Sequence, residues 1–462
     1  MSLKPTTPKG TRDFSSKVLS KRNYLKMILQ KAFESFAFEP LETPSFEKLT
    51  TLMGKYGDEG DRLIFKILNS GEKLKKADIN SLKNNSLKEF SNSLSEKALR
   101  YDLTVPFARY VAGNQNDLIF PFRRYQIQNV WRADRPQHGR FQEFCQCDAD
   151  IVGERSLWQE VEIISLYDRV FSDLKLEGVT LKINHRKILE GIVKLIGNDN
   201  QLIDFTVAVD KIDKIGLKGV EKELLSKGFS ADSIKKIKPI ISLKGDINKI
   251  LLDLEFLFKD IPEGLNGVEE LRFVFDKLNK VGLLKSVKLS FDLTLARGLN
   301  YYTGMIVEVD GPPSVKMGSI GGGGRYDDLT SFFGMKGISG IGISFGFDRI
   351  YLVLEELDLF PENIEINTEI LFLNLGVNSS DVAFSSLTKL RSVGVICEIY
   401  PSEIKMSKQL NYANKKNIGF VVIIGDEELK NKKFTLKDMS SGEQNEYPLV
   451  DMIKILKSLS KF

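Results

Sequence analysis

The stretch from Phe122 to Gly153, FRRYQIQNVWRADRPQHGRFQEFCQCDADIVG, constrains the fold more than any other part of the chain. Two strand-like runs flank a basic turn, Arg132–Arg140, that holds three arginines and one histidine. Side chains on a strand alternate between faces, so Phe144, Gln146, Asp148 and Asp150 share one face of the second run. Cys145, Cys147, Ala149 and Ile151 take the other, which must lie against a core. Such a polar face fits a half-solvated sheet, and also the wall of a ligand site. The arginine-rich turn tips the balance toward an anionic ligand, because guanidinium groups make planar, bidentate contacts with phosphate.

Around this hairpin the 462 residues leave room for two or three domains. Hydrophobic residues at 42% and charged residues at 28% suit a chain with a full buried core. No apolar run approaches the roughly 18–20 residues that span a bilayer, and MSLKPTTPKGTRDF lacks an apolar signal segment. No membrane or secreted role is therefore expected. Three cysteines, Cys145, Cys147 and Cys397, make no disulfide framework and point to a reducing cytoplasm. The only two histidines, His138 and His185, are far apart. That scarcity removes the H-E-x-x-H proteases, most zinc enzymes and ordinary Ser-His-Asp hydrolases. The C-x-C pair has no ligand partners nearby, so no metal site is expected. A net charge of +4 does not announce a nucleic-acid binder, although a basic patch on one face would still attract a polyanion.

Periodicity predicts a helix over Ser20–Ala37, ended by Pro40 and Pro44, and a strand at Leu63–Leu68. Residues 69–97 are polar and read as an inserted surface arm or loop with room for a short helix. A long helix is expected at Leu157–Leu174, a lysine-rich helical insertion over about 211–280, and a strand at Val287–Asp292. A break at Leu359–Asn367 precedes strands and helices alternating from 368 to 462, the pattern of a small α/β domain with a mixed sheet.

Four further segments carry chemistry. Gly342–Phe345 predicts a strand, Gly346 a tight junction, and the next helix has Arg349 in its first turn. A cation there opposes the helix dipole unless an anion joins it. Gly321–Gly324 before Arg325 fails the P-loop pattern and better suits a strand whose bare backbone lies against a ligand. Asp102 and Thr104 in LRYDLTVP are expected on one strand face, and Arg297–Tyr302 (RGLNYY) sets a cation beside two phenols. Lys405–Lys408 spells KMSK, the lysine loop of class I synthetases, but two isolated histidines cannot supply the His-Ile-Gly-His box those enzymes need.

Taken together the segments resemble the class II aminoacyl-tRNA synthetases, and within them the histidyl-tRNA synthetase family. KGTRDF (Lys9–Phe14) is similar to the family's N-terminal signature, residues near 20–50 to motif 1, 122–153 to motif 2 and 340–357 to motif 3. LRYDLT and RGLNYYTG resemble its histidine-specific elements, at Leu99–Thr104 and Arg297–Gly304. The resemblance implies an α+β fold: an antiparallel-sheet catalytic domain over 1–360 and an anticodon-binding domain over 368–462. It implies activation of L-histidine with ATP and Mg2+, transfer of histidine to the 3′ end of its tRNA, and a homodimer.

By the same resemblance Arg132, Arg297 and Arg349 are catalytic, on the α-phosphate from two sides and on the γ-phosphate. Asp134, Arg140 and Arg325 complete the ATP site. Asp102, Thr104 and Gln146 would hold the α-amino group of histidine, and Asp150 and Tyr302 its two ring nitrogens, with Tyr301 lining the pocket. Asp134 and Asp150 stand where many members have glutamate, Gln142 where many have arginine, and Asn300 where an aspartate is common. Two rival readings are a regulatory subunit of the first histidine-biosynthesis enzyme and a class II enzyme for glycine, proline or threonine. The intact arginines and the second domain oppose the first, and RGLNYY with no His/Cys zinc set opposes the second.

Overall fold

A computed structural model describes residues 4–241, 243, 245–282, 285–296, 302–362, 364 and 367–459. Contacts divide the chain into two units, Met1–Pro361 and Glu362–Phe462.

The first unit is built on eight strands: β1 (Glu39–Pro40), β2 (Phe122–Trp131), β3 (Glu143–Val152), β4 (Val179–His185), β5 (Val287–Phe291), β6 (Met305–Asp310), β7 (Gly321–Tyr326) and β8 (Gly340–Phe345). They run in the order β1-β2-β3-β8-β7-β6-β4-β5. All pairs are antiparallel except the two at the edges, β1 with β2 and β4 with β5. The β2–β3 hairpin is the longest pairing, in register from Phe122 opposite Val152 to Trp131 opposite Glu143. Its apolar face follows the alternation, with Cys147, Ala149 and Ile151 fully buried.

Helices α1 (Ser16–Ser35) and α2 (Trp158–Asp173) cover that apolar side. Phe345 of β8 lies between them, its ring centroid 5.7 Å from Phe33 of α1 and 4.7 Å from Tyr167 of α2. Burying a ring of this size stabilises a fold by about 1.5–3 kcal/mol. Helix α3 (Phe347–Glu356) leaves the sheet directly after β8 and lies against α1, where Lys21 pairs with Glu355 at 3.1 Å.

Three expectations change. Asp102 and Thr104 are not on a strand: the strand is only Lys97–Leu99, and a helix spans Thr104–Gly113. Pro106 falls in that helix's first turn, where its missing N–H has no intrahelical partner to lose. The helical insertion begins earlier than 211, with helices at Arg186–Leu195 and Leu202–Val209 before the run that ends at Val281. The strand expected at Leu63–Leu68 shrinks to Lys66–Ile67 after a short helix, Gly57–Arg62. The polar stretch that follows forms a 3-10 turn and two short helices, Ile79–Lys83 and Leu87–Ser93.

The second unit holds a five-stranded mixed sheet, in the order Cys397–Ile399, Ile370–Phe372, Phe420–Ile423, Lys433–Asp438, Gln444–Pro448. The first three are parallel and the last two antiparallel. Helices Val377–Ser392 and Met452–Leu459 share one core with the sheet, around Phe372, Leu387 and Phe434. Helix Met406–Lys415 helps close another, around Leu371, Ala413 and Val421.

Candidate active site

Over the polar side of the large sheet lies a cavity of about 380 Å³, walled by β3, β6, β7, β8, the basic turn and the start of α3. A chamber of about 30 Å³ shares Thr104, Tyr302, Gly322, Gly323 and Ser344 with it and extends to Asp148, Asp150 and Tyr326.

The chamber follows from the hairpin register. Arg124, Gln126 and Gln128 of β2 stand opposite Asp150, Asp148 and Gln146 of β3. Arg124 is fully buried, reaches Asp150 Oδ2 at 2.7 Å, and lies 4.3 Å from the ring centroid of Phe107. The Tyr326 hydroxyl donates to Asp150 Oδ1 at 2.7 Å, and Gln146 Nε2 to Asp148 Oδ2 at the same distance. Burial pushes the Asp148 carboxyl up to about 7, with Arg124 opposing and Asp150 adding to the rise. Burial also raises Asp150, against the pull of Arg124 and Tyr326. Room for Asp150 comes from Gly342, where a Cβ would stand 2.0 Å from Oδ1. Beside it, a Cβ on Gly323 would meet the Gly342 carbonyl oxygen at 2.1 Å, so the strands approach as bare backbone.

Arg132 lies over two rings, 4.4 Å from Tyr101 and 5.1 Å from Phe144. Its Nε donates to Tyr101 O at 3.0 Å and its Nη2 to Gln146 Oε1 at 3.5 Å. Asp102 accepts from Tyr56 Oη at 2.8 Å and from Val105 N at 3.2 Å. Burial raises its carboxyl, and Tyr56 and Arg132 oppose that rise. Thus Asp102, Thr104, Arg132 and Gln146 come together at one wall of the cavity although the chain separates them by up to 44 positions.

The basic turn is held from three sides. Gln142 Nε2 donates to Asp134 O at 3.0 Å, and Gln142 N to Gly10 O at 2.9 Å. Arg349 Nε donates to Gly139 O at 3.0 Å and its Nη1 to Ser319 O at 2.5 Å. Arg140 and Asp134 line the cavity, their ion pair long at 3.8 Å. Arginines on one side and a carboxylate–phenol chamber on the other give the cavity two chemically distinct ends.

Arg325 is not brought to this cavity. It is buried against α2, pairs with both oxygens of Glu160, and donates to Ser339 Oγ at 2.6 Å. A guanidinium so fully bonded braces β7 against α2. Arg297 and Tyr301 lie outside the described residues, whereas Tyr302 lines both spaces.

Comparison with known proteins bears on this geometry. A family model described as histidyl-tRNA synthetase matches residues 10–350, and one described as anticodon binding domain matches 369–459. The chain belongs to the histidyl-tRNA synthetase family. A histidine–tRNA ligase of Christiangramia forsetii is 58% identical over 96% of this chain and 97% of its own length. One of Flavobacterium johnsoniae is 54% identical, with the same coverage. The crystal structure of histidyl-tRNA synthetase from Nostoc sp. PCC 7120 superposes with a TM-score of 0.78 at 29% identity, covering 99% of this chain and all of that one.

Within this histidyl-tRNA synthetase fold, sequence reasoning missed Arg124, Tyr326 and Tyr56, and gave Asp148 a face but no role. Arg124 carried a signal: in a two-stranded hairpin it pairs across from Asp150 once the register is known. Tyr56 carried none, because it reaches Asp102 from 46 positions away through a tertiary contact.

Proposed function

We infer that this histidine–tRNA ligase runs both steps of its reaction in the two-ended cavity, ATP at the arginine end and histidine in the chamber. The observation that carries the reading is the chamber itself: a carboxylate, Asp150, fixed by Arg124 and Tyr326 and facing a common space with Tyr302. A carboxylate has about four lone-pair sites, so with one hydrogen bond from Tyr326 and an ion pair to Arg124 it still accepts an imidazole N–H, while the Tyr302 hydroxyl serves the other ring nitrogen. A side chain lacking those two groups would leave buried polar atoms unpaired, which supports discrimination of about 10⁴–10⁵-fold without an editing site.

At the other wall Asp102, Thr104 and Gln146 take the α-ammonium group, and Arg132 takes the substrate carboxylate and the α-phosphate. The carboxylate oxygen of histidine attacks the α-phosphorus, the bond to the bridging oxygen breaks, and pyrophosphate leaves. Arg132 and Arg297 neutralise charge that grows on the α-phosphate oxygens, with Arg349 on the γ-phosphate. The terminal tRNA hydroxyl then attacks the carbonyl carbon of the adenylate and AMP departs. Asp134 and Arg140 flank the adenosine side. Mg2+ would be held chiefly by the ATP phosphates and would offset their charge, with Glu308 one of the carboxylates at the cavity wall that could join it.

The anticodon-binding unit reads unpaired bases by stacking and edge contacts. We further assign the chain to a homodimer through α1 and β1, and to the cytoplasm, consistent with three free cysteines; no helix among the described residues is long and apolar enough to cross a membrane. The test is ATP–pyrophosphate exchange with each of the twenty amino acids in turn. Exchange with histidine alone is expected; exchange with a second amino acid at a comparable rate would remove the chamber as the selecting element.

A further inference from the structure

The N-terminal signature Lys9–Phe14 enters neither end of the cavity, yet its arginine joins three elements that do. Arg12 Nη2 and Arg22 Nη1 both donate to Oδ1 of Asp348, at 2.7 and 2.5 Å. The other oxygen of Asp348 accepts from Cys145 N of β3 at 2.9 Å. Asp348 occupies the first turn of α3, directly before Arg349, and lines the cavity.

Around this carboxylate, cations and rings alternate. The Arg12 guanidinium lies 3.2 Å from the ring centroid of Phe141 and 5.0 Å from that of Phe14. Arg22 lies 4.4 Å from Phe14 and 4.8 Å from Phe347. The order is Phe141, Arg12, Phe14, Arg22, Phe347, from the end of the basic turn through the signature and α1 to α3. One carboxylate cannot balance two guanidiniums, and the negative faces of the rings offset part of the excess.

We propose that Arg12, held between Phe141 and Asp348, is a positioning residue for ATP. Its flat face fixes Phe141, a cavity residue at the exit of the basic turn, relative to the helix turn that carries Arg349. Arg22 ties the same brace to α1. A loop ordered before its ligand arrives binds more tightly than one the ligand must order. The stack does not reach Asp150 or Tyr302, so histidine binding is independent of it. The proposal rests on the assignment of the arginine end of the cavity to ATP.

The experiment measures pyrophosphate exchange, direct histidine binding and thermal melting on the full chain. Arg12→Ala should raise KM for ATP by about tenfold and leave the histidine Kd unchanged. Arg12→Lys keeps a charge for Asp348 but not the planar face, so it should recover little of the loss. Phe141→Leu should raise KM for ATP on its own, and the double variant should be no worse than the poorer single, because both remove one contact. If Phe141→Leu leaves KM for ATP unchanged, the ATP assignment itself fails. A raised KM in Phe141→Leu with a normal one in Arg12→Ala overturns the positioning role alone. Equal loss of ATP and histidine affinity with a lowered Tm would make Arg12 merely structural and also overturn it. Should Arg12→Ala not fold, Arg12→Lys decides: the parent KM for ATP in that variant rejects the stacking argument.

Discussion

Asp148 accepts from Gln146 in the chamber, with Arg124 of the neighbouring strand close enough to restrain its rise, and still its carboxyl is held near 7 by burial, against 3.8 for a free one. A carboxyl raised in this way binds its proton more tightly folded than unfolded. Its contribution to stability is complete below about pH 4 and is lost as the pH rises through 7. Asp148→Asn keeps the shape without the charge. Its melting temperature relative to the parent should therefore climb between pH 4 and 7 and stay level above, by several degrees for each ~1–2 kcal/mol gained. A difference that does not change with pH would mean that Asp148 keeps an ordinary carboxyl. At this scale the sequence exposed the face but not the partner. Gln146, Asp148 and Asp150 alternate legibly, whereas Arg124 needs a register that the connection 132–142 does not reveal. Arg325 misled for a related reason: an arginine after four glycines looks like a phosphate ligand, and only the position of Glu160 on α2 shows where it points.

Between elements, one junction decides how the helical run is hung on the sheet. His185 ends β4, accepts from Lys187 N through Nδ1, and meets Glu270 Oε2 at 2.8 Å through Nε2. Glu270 belongs to the last helix of the run, Pro262–Val281, and also pairs with Lys187 at 2.5 Å. Burial would raise its carboxyl, but His185 and Lys187 outweigh that and bring it down to about 2. A depressed carboxyl gives its stability above the unfolded value, 4.5, and loses it as the pH falls through 2. The clamp should thus weaken in acid, and the stability cost of Glu270→Gln should be full at pH 6 and shrink as the pH falls from 4.5 toward 2, as read by thermal melting of parent and variant side by side. Elements of this run show why boundaries were only partly legible. IDFTVAV is rich in β-branched residues and has no polar stripe, so its helix, Leu202–Val209, is set by the helices beside it. In the second unit strands and helices alternate from 368 onward as their periodicity predicts, with the short helix Asp426–Lys430 set among them.

On the scale of the whole chain, two units with separate cores imply separable activities. A chain ending at Pro361 should keep histidine-dependent pyrophosphate exchange within about threefold of the parent, because both ends of the cavity belong to the first unit. It should lose aminoacylation by about 10²–10⁴-fold, the gain that a second, linked binding site confers on one RNA. Equal loss of both activities would show that the second unit supports the fold of the first. The first unit also carries a consequence for how such a chain can diversify. Gly321–Gly323 give the cavity a wall of bare main chain, and a surface without side chains offers mutation nothing to exchange. A Cβ on Gly323 would meet the Gly342 carbonyl oxygen at 2.1 Å, and one on Gly321 or Gly322 would crowd a carbonyl oxygen at 3.0 Å. Change in what the cavity accepts is therefore channelled to the side chains beside that bare backbone, Asp148, Asp150 and Tyr302 among them, while the glycine strand remains closed to tinkering.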